Sequence, residues 1–180
     1  MPTDDRQYGG RLSTEIRTTL LELAREFVFS VRDCPGVTRI ALVGSILTPK
    51  ARPKDVDILV GVTEAVDLPR LAKLGRRLRG SAQARLSSGA DVFLANEGGE
   101  YIGRICHYRE CHPRVLCHAR HCGAVPHLAD DLDVVNVDLA LIATPPVELW
   151  PMITIRAIVP EDVERLLLAP LRLSTGMTVA

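Results

Sequence analysis

Two aspartates at the start of an apolar segment most restrict how this chain can fold. Asp55 and Asp57 are separated by one residue and precede the apolar run ILV at 58–60, which is typical of a buried strand. Because side chains at positions i and i+2 of a strand point to the same face, the two carboxylates would lie side by side. Desolvated anions so close together repel each other. The sequence therefore predicts a positive charge between them.

A divalent cation is the simplest source of that charge. Mg²⁺ takes oxygen ligands, often one or two carboxylates, and completes its shell with water and substrate phosphates. The aspartate pair therefore predicts a magnesium site and, with it, phosphate chemistry. A purely structural interpretation is also open: an Asp-x-Asp sequence taken alone also occurs at the solvated edge of a strand, and a Gly-Ser pair after a strand is usually a turn.

Length and charge limit the class of protein. A chain of 180 residues fits one domain, or one domain with a small appendage. Its 22 Lys and Arg balance 22 Asp and Glu, so no overall field attracts nucleic acid or an anionic membrane. No apolar run approaches the roughly 18–20 residues that span a bilayer, and the start MPTDDRQYGG lacks signal-peptide features. We expect a cytoplasmic protein without a membrane partner, and its oligomeric state stays open.

The periodicity of apolar residues predicts an α/β fold. A helix is predicted over 14–31, and a buried strand over 37–43 that ends in a sharp turn at Gly44 and Ser45. Further strands are predicted over 56–62 and 89–95, with a helix over 68–79 between them that Gly80 ends. A long strand over 132–143, a strand or irregular segment over 150–159 and a final helix after Pro160 complete the prediction.

The turn and the aspartates together match a known pattern. Gly44-Ser45, nine intervening residues and Asp55-Val56-Asp57 in an apolar strand resemble the signature of the DNA polymerase beta-like nucleotidyltransferase superfamily, minimal type. Asp91, on a predicted strand, stands where that superfamily keeps its third carboxylate. The resemblance covers residues 16–94. It implies a nucleotidyltransferase fold, in which helices flank a central mixed β-sheet.

The resemblance also implies roles for these aspartates. Asp55, Asp57 and Asp91 would bind two catalytic Mg²⁺ ions, which clamp the attacking and leaving oxygens of an in-line displacement. Asp91 is in addition a candidate base for the acceptor hydroxyl. The reaction implied is attack on the α-phosphate of a nucleoside triphosphate such as ATP, with pyrophosphate leaving.

A binding site for the nucleotide follows from the same resemblance. Gly44 and Ser45 would begin a short helix whose N–H groups, with the serine hydroxyl, hold the triphosphate. Lys54, with Lys50 and Arg52 in the same loop, would reach the β and γ phosphates, although these three side chains could also be simply solvated.

The acceptor is not predicted. The chain after residue 91 is short and resembles no acceptor-binding module, so a protein, an RNA and a small molecule such as an aminoglycoside all stay open. The alternative function is a catalytically inactive nucleotide- or protein-binding regulatory module, of toxin–antitoxin type, that keeps the fold without turnover.

A second motif is rich in cysteine and histidine. The segment CHYRECHPRVLCHARHC at 106–122 contains four Cys and four His. Their number predicts a structural Zn²⁺ bound by four thiolates, those of Cys106, Cys111, Cys117 and Cys122. The spacing is wide, so sets in which a histidine replaces a cysteine stay open, involving His107, His112, His118 or His121. The segment could equally contain reduced thiols without a metal, have an iron–sulfur or redox role, or act as a docking element.

The domain organisation follows from these motifs. We expect a nucleotidyltransferase core over 1–100, a metal-binding segment over 101–125, and a C-terminal strand and helix over 126–180 that complete the same domain. A group of basic residues in and after the second helix is by default a solvated face, with RNA or triphosphate contact as the alternative; its members are Lys73, Arg76, Arg77, Arg79 and Arg85.

Overall fold

A mixed β-sheet forms the centre of the molecule. The computed structural model describes residues 5–108, 125–129 and 138–175, with side chains for 14–108, 125–129 and 138–174. Within these residues the sheet contains seven strands: β1 (Val37–Val43), β2 (Asp55–Val62), β3 (Gly89–Ala95), β4 (Tyr101–Ile105), β5 (Leu128–Ala129), β6 (Val147–Trp150) and β7 (Thr154–Ile155). Their order is β5-β4-β3-β2-β1-β6-β7. Only β2 and β3 run parallel among these strands, which makes the sheet mixed.

Helices cover both faces of the sheet. The helical segments are α1 (Asp5–Val31), α2 (Leu68–Leu86), α3 (Leu139–Ala143) and a C-terminal helical region made of α4 (Glu161–Val163), a π-helical segment (Glu164–Leu168) and α5 (Ala169–Thr175). The predicted α/β architecture, a mixed sheet flanked by helices, is thereby confirmed. Among the described residues, no helix combines the length and the apolar character that crossing a membrane requires.

The core lies mainly on one face of the sheet. Alternate side chains of β2 and β3, such as Ile58 and Leu94, pack there against fully buried residues of α1 and α2, such as Leu20 and Leu71. A smaller cluster on the opposite face contains Ala41, Val43, Leu59, Phe93, Ala95 and Ile142 of α3. The alternation of side chains along each strand therefore assigns every strand residue to one of two differently covered faces.

The predicted stop of the second helix at Gly80 is wrong. α2 continues to Leu86, and its C-cap Ser87 adopts a left-handed conformation with φ of 52°. Glycine inside a helix costs only about 1 kcal/mol relative to alanine. The fully buried Ala82 shows that the apolar face of the helix continues beyond Gly80, so packing outweighs that cost.

The predicted long strand over 132–143 is wrong at its C-terminal end. Residues 139–143 form α3, whose first turn is capped by Asp138 as its carboxylate accepts a hydrogen bond of 2.9 Å from the Ala140 N–H. Residues 130–137 lie outside the described residues. Strand β4 was not predicted, and the segment over 150–159 contains the cis bond between Trp150 and Pro151 followed by β7.

Candidate functional site

Two neighbouring strands bring the predicted aspartates together. β2 and β3 run parallel with Asp57 directly opposite Asp91, while Asp55 lies two residues earlier on the same face of β2. Oxygens of the three carboxylates, one from each, all lie within 4.8 Å of one another. The register of the parallel pair therefore creates one acidic cluster from positions 34 residues apart in sequence.

The cluster lies where β1 ends and β2 begins. Because β1 runs antiparallel to β2, its last residue Val43 pairs with Asp57, and the turn that follows starts beside the carboxylates. All three aspartates are half-buried. Alternation along β2 and β3 places them on the face of Leu59 and Phe93, opposite the face that packs against α1 and α2.

Gly44 fits against the Asp57 carboxylate. Its φ of 79° and ψ of −164° lie in a region of backbone conformation that is essentially restricted to glycine. A Cβ built at this position would overlap the carboxylate and lie 3.1 Å from the Asp57 Cβ. A single 3₁₀ turn, Ser45–Leu47, follows, and the Thr48 hydroxyl donates a 2.7 Å hydrogen bond to the Ser45 carbonyl. The sharp turn predicted at Gly44 and Ser45 is thus confirmed.

Burial and mutual repulsion disfavour the ionised form of two of the carboxylates. Burial, then the charges of Asp55 and Asp91, raise the pKa of Asp57 to about 7, against a smaller opposing effect of Arg104. Burial, followed by the charge of Asp91, also raises the pKa of Asp55. Within the described residues, no side-chain hydrogen bond or ion pair reaches either carboxylate.

Asp91 has the opposite electrostatic character. Its Oδ1 atom lies 2.9 Å from Arg104 Nη1, 3.0 Å from His107 Nε2 and 3.4 Å from Arg79 Nη1. Burial by itself would raise the pKa of Asp91, but the hydrogen bond with His107 and the charges of Arg104, His107 and Arg79 together lower it. Asp91 is therefore the member of the cluster that ionises most readily.

This arrangement has the donor chemistry of a divalent-cation site. Asp55 and Asp57 have no counter-charge in contact among the described residues, and both point to the same place as Asp91. A cation with oxygen preference would relieve the repulsion that raises their pKa values. Positive charge also approaches from the preceding loop, since Lys50 and Lys54 lower the pKa of Asp55 against the larger effect of burial.

The structure describes the predicted metal-binding segment at residues 101–108 and 125. Cys106 directly follows β4, is half-buried, and donates its backbone N–H to the His127 carbonyl at 2.8 Å. Three of the predicted ligands, Cys111, Cys117 and Cys122, lie outside the described residues, as do His112, His118 and His121. The proposed ligand set for zinc therefore stays a prediction.

Three residues that contact Asp91 were not predicted to do so. His107 was assigned only to the metal-binding segment, and Arg79 only to a basic helix face. The position of Arg104 depends on β4, where it pairs with Phe93. Once β4 is known, alternation places Arg104 on the face of the aspartates, because its neighbour Ile105 packs in the main core. A sequence pattern that predicted β4 would therefore have placed Arg104 beside the aspartates.

No protein-family model, curated protein or solved structure matches this chain. The chemistry of the site is therefore inferred from its own residues. Its outstanding feature is a half-buried set of three carboxylates on two parallel strands, with a glycine turn packed against one of them.

Proposed function

We propose that this protein is a nucleotidyltransferase, which moves a nucleoside monophosphate from a nucleoside triphosphate to an acceptor hydroxyl. The observation that carries the proposal is the pairing of Asp57 with Asp91 across parallel strands, with Asp55 on the same face and Gly44 packed against Asp57. The seven-stranded mixed sheet seen in the described residues is compatible with the nucleotidyltransferase fold that the motif implies.

The carboxylates would hold two magnesium ions. Asp55 and Asp57 would each contribute oxygens that no described residue neutralises, and Asp91, held by Arg104 and His107, would add its remaining oxygen Oδ2. When bound, such ions supply the charge that stabilises the attacking and leaving oxygens of a phosphoryl displacement. The protein contributes a rigid strand pair that fixes the three carboxylates before the substrate arrives.

The triphosphate would lie along the turn after β1. The turn at Gly44 starts beside the Asp57 carboxylate, and the adjacent Ser45 hydroxyl is a hydrogen-bond donor. Lys54 precedes Asp55 directly and brings positive charge to the same region. Side chains of these types position a polyphosphate and neutralise its charge, which is the main protein contribution to this class of reaction.

Calorimetric titration of each nucleoside triphosphate, with and without Mg²⁺, tests the proposal. We expect magnesium-dependent binding by the wild type, loss of binding in Asp57→Asn, and unchanged binding in the control Asp33→Asn, whose exposed carboxylate lies near Arg32 instead. Pyrophosphate release during incubation with candidate acceptors then tests turnover. The proposal is wrong if the folded wild type binds no nucleoside triphosphate in the presence of Mg²⁺.

A second function, nucleotide binding without turnover, is favoured by one observation. Oδ1 of Asp91 is already surrounded by Arg104, His107 and Arg79, which leaves it less free to ligate a metal than the other two aspartates. Magnesium-dependent binding without pyrophosphate release, across protein, RNA and small-molecule acceptors, would favour this regulatory function.

We also propose that the segment after β4 binds a structural zinc ion through its cysteines. Support comes from the number of thiols and imidazoles in 106–122 and from the free thiol of Cys106 at its start. Metal analysis of the purified protein should find one zinc per chain, and Cys111→Ser with Cys117→Ser should remove it. Zinc-free wild-type protein with unchanged folding would contradict this proposal.

A further inference from the structure

The guanidinium of Arg17 organises the loop that leads to the acidic site. Arg17 lies on α1 and is 7% exposed, an unusual degree of burial for an arginine. It donates hydrogen bonds to three backbone carbonyls of one short segment, those of Ile46 at 3.0 Å, Thr48 at 3.1 Å and Lys50 at 2.8 Å. One side chain thus contacts the backbone of residues 46–50 at three points.

The same guanidinium is anchored at its other edge by Asp162. Arg17 donates from Nε to one carboxylate oxygen and from Nη2 to the other, the latter at 2.9 Å. This two-pronged contact uses the planar fork of arginine, which a lysine cannot reproduce. The pair connects α1 to the first turn of the C-terminal helical region, across 145 positions of sequence, and fixes the guanidinium in the orientation that the loop requires.

The segment that Arg17 holds begins two residues after Gly44. Three of its carbonyl oxygens accept hydrogen bonds from the guanidinium, which offsets their partial negative charge. The segment also carries Lys50, whose charge reaches Asp55. The groups proposed to meet the triphosphate, from Ser45 to Lys50, therefore owe their arrangement to a residue that touches none of the three aspartates in the described structure.

We infer that Arg17 is a positioning residue for nucleotide binding, an inference that rests on the proposed function. The Arg17–Asp162 pair holds the loop over 45–50 in the conformation that receives the triphosphate, and it makes the affinity for nucleotide depend on contact between the first and last helices. A positional error of about 1 Å in such groups can cost on the order of a hundredfold in a catalysed reaction. A change in the loop conformation should therefore alter the affinity for nucleotide measurably, even though Arg17 does not contact the proposed metal ligands.

A matched control lies two turns along the same helix. Arg25 also connects α1 to the C-terminal helical region, donating to the Leu166 carbonyl at 3.3 Å, yet it makes no contact with residues 45–50 in the described structure. The test variants are Arg17→Lys, which keeps the charge and loses the fork, and Asp162→Asn, which keeps the shape and loses the anchor. Arg25→Lys weakens the same helix contact without altering the loop.

Three measurements on the full-length proteins test the inference. Circular dichroism with thermal unfolding establishes that each variant folds, Mn²⁺ binding followed by electron paramagnetic resonance reports on the aspartates, and calorimetry gives the affinity for Mg²⁺–nucleoside triphosphate. We expect Arg17→Lys and Asp162→Asn to bind Mn²⁺ as the wild type does and to bind nucleotide about tenfold or more weakly. Arg25→Lys should bind both as the wild type does.

Hydrogen exchange of the amides in 45–50 separates the failure of this inference from the failure of the proposed function. Exchange in this segment that is accelerated more than the loss of global stability accounts for, in both test variants and with weaker nucleotide binding, supports the inference. Unchanged exchange in this segment overturns the inference, whether or not the affinity for nucleotide changes. Faster exchange with unchanged nucleotide affinity overturns the role in binding. If the wild type binds no nucleotide at all, the proposed function fails and this inference about nucleotide binding fails with it, while the exchange data still decide whether Arg17 orders the loop.

Discussion

At the scale of single residues, Gly44 allows the turn after β1 to pack against the Asp57 carboxylate. Its backbone conformation costs a residue with a side chain about 1–3 kcal/mol, and a side chain there would displace the Asp57 carboxylate. We predict that Gly44→Ala lowers the free energy of unfolding in urea by at least that amount and abolishes Mn²⁺ binding.

Gly99 is the matched control for Gly44. Its φ of +77° resembles that of Gly44, but a Cβ there would meet nothing within 4 Å. Gly99→Ala should therefore show the backbone cost alone and bind Mn²⁺ normally. Equal loss of stability in the two variants, with Mn²⁺ bound by both, would contradict the proposed contact between Gly44 and Asp57.

Asp57 should make the metal-free protein less stable as pH rises, because its ionised form is disfavoured in the folded state. Its folded pKa, raised to about 7 mainly by burial, exceeds the unfolded value of about 4. The resulting stabilisation is complete below pH 4 and is lost as pH rises through 7. In EDTA at pH 8, we predict that Asp57→Asn raises the free energy of unfolding by roughly 1–3 kcal/mol.

The difference between Asp57→Asn and the wild type should shrink toward pH 4, where the native aspartate is protonated. Added Mg²⁺ should then stabilise only the wild type at pH 8, because a ligand that binds the native state shifts unfolding in proportion to its affinity. Urea titrations at the two pH values measure both effects. A less stable Asp57→Asn in EDTA at pH 8 would mean that the carboxylate is compensated by the protein itself.

At the scale of elements, α2 lies unusually close to the strands beneath it at Gly75. A Cβ at this position would be 3.3 Å from Ile105 Cγ2 and 3.4 Å from Val92 Cγ2, so a branched side chain has no room. We predict that Gly75→Val lowers the free energy of unfolding by about 1–3 kcal/mol through overpacking. Gly80→Val, on the same helix with nothing within 4 Å of its Cβ, should leave it unchanged or slightly raised.

The comparison of the two valine variants uses urea unfolding at one pH. Equal stability of Gly75→Val and Gly80→Val would contradict the close approach between α2 and the sheet. Because α2 also carries Arg79, which pairs with Asp91, a displaced helix should in addition change the affinity for Mn²⁺ in Gly75→Val only.

Elements were predictable where local signals agreed. The apolar, β-branched segments of β1, β2 and β3 are bounded by turn residues, and the predicted ranges match the observed ones within one residue. β4 escaped prediction because Gly103, with φ of 139°, and the 40% exposed Ile102 interrupt its alternation. α3 is only five residues long, and its apolar composition fits a strand equally well, so the Asp138 cap and tertiary packing determine its structure.

At the scale of the whole molecule, the site divides into parts that sequence spacing encodes and parts that folding creates. Asp55 and Asp57 were predictable because a period of two is a local property. Asp91 required knowledge of which strands are neighbours, which the family resemblance supplied. Arg17 was not predictable, since its partners Ile46 and Asp162 are 29 and 145 positions away and no local pattern distinguishes this arginine from others on α1.

The Arg17–Asp162 pair should also make the whole fold sensitive to acid. The hydrogen bond from Arg17, together with its charge and backbone N–H groups, lowers the pKa of Asp162 against the effect of burial. A lowered folded pKa stabilises the protein above the unfolded value of about 4, and the stabilisation is lost as pH falls through the folded value.

We predict that Asp162→Asn lowers the free energy of unfolding at pH 7 by roughly 2–4 kcal/mol, less than for a fully buried pair because the Asp162 side chain is 22% exposed. The deficit should shrink as pH falls below about 5, because the wild type then loses the same charge. Asp33→Asn, which alters an exposed pair with Arg32, should show little deficit at any pH. Urea unfolding of the three proteins between pH 3 and 7 measures this. A deficit independent of pH would mean that the shape of Asp162, rather than its charge, joins the two ends of the chain.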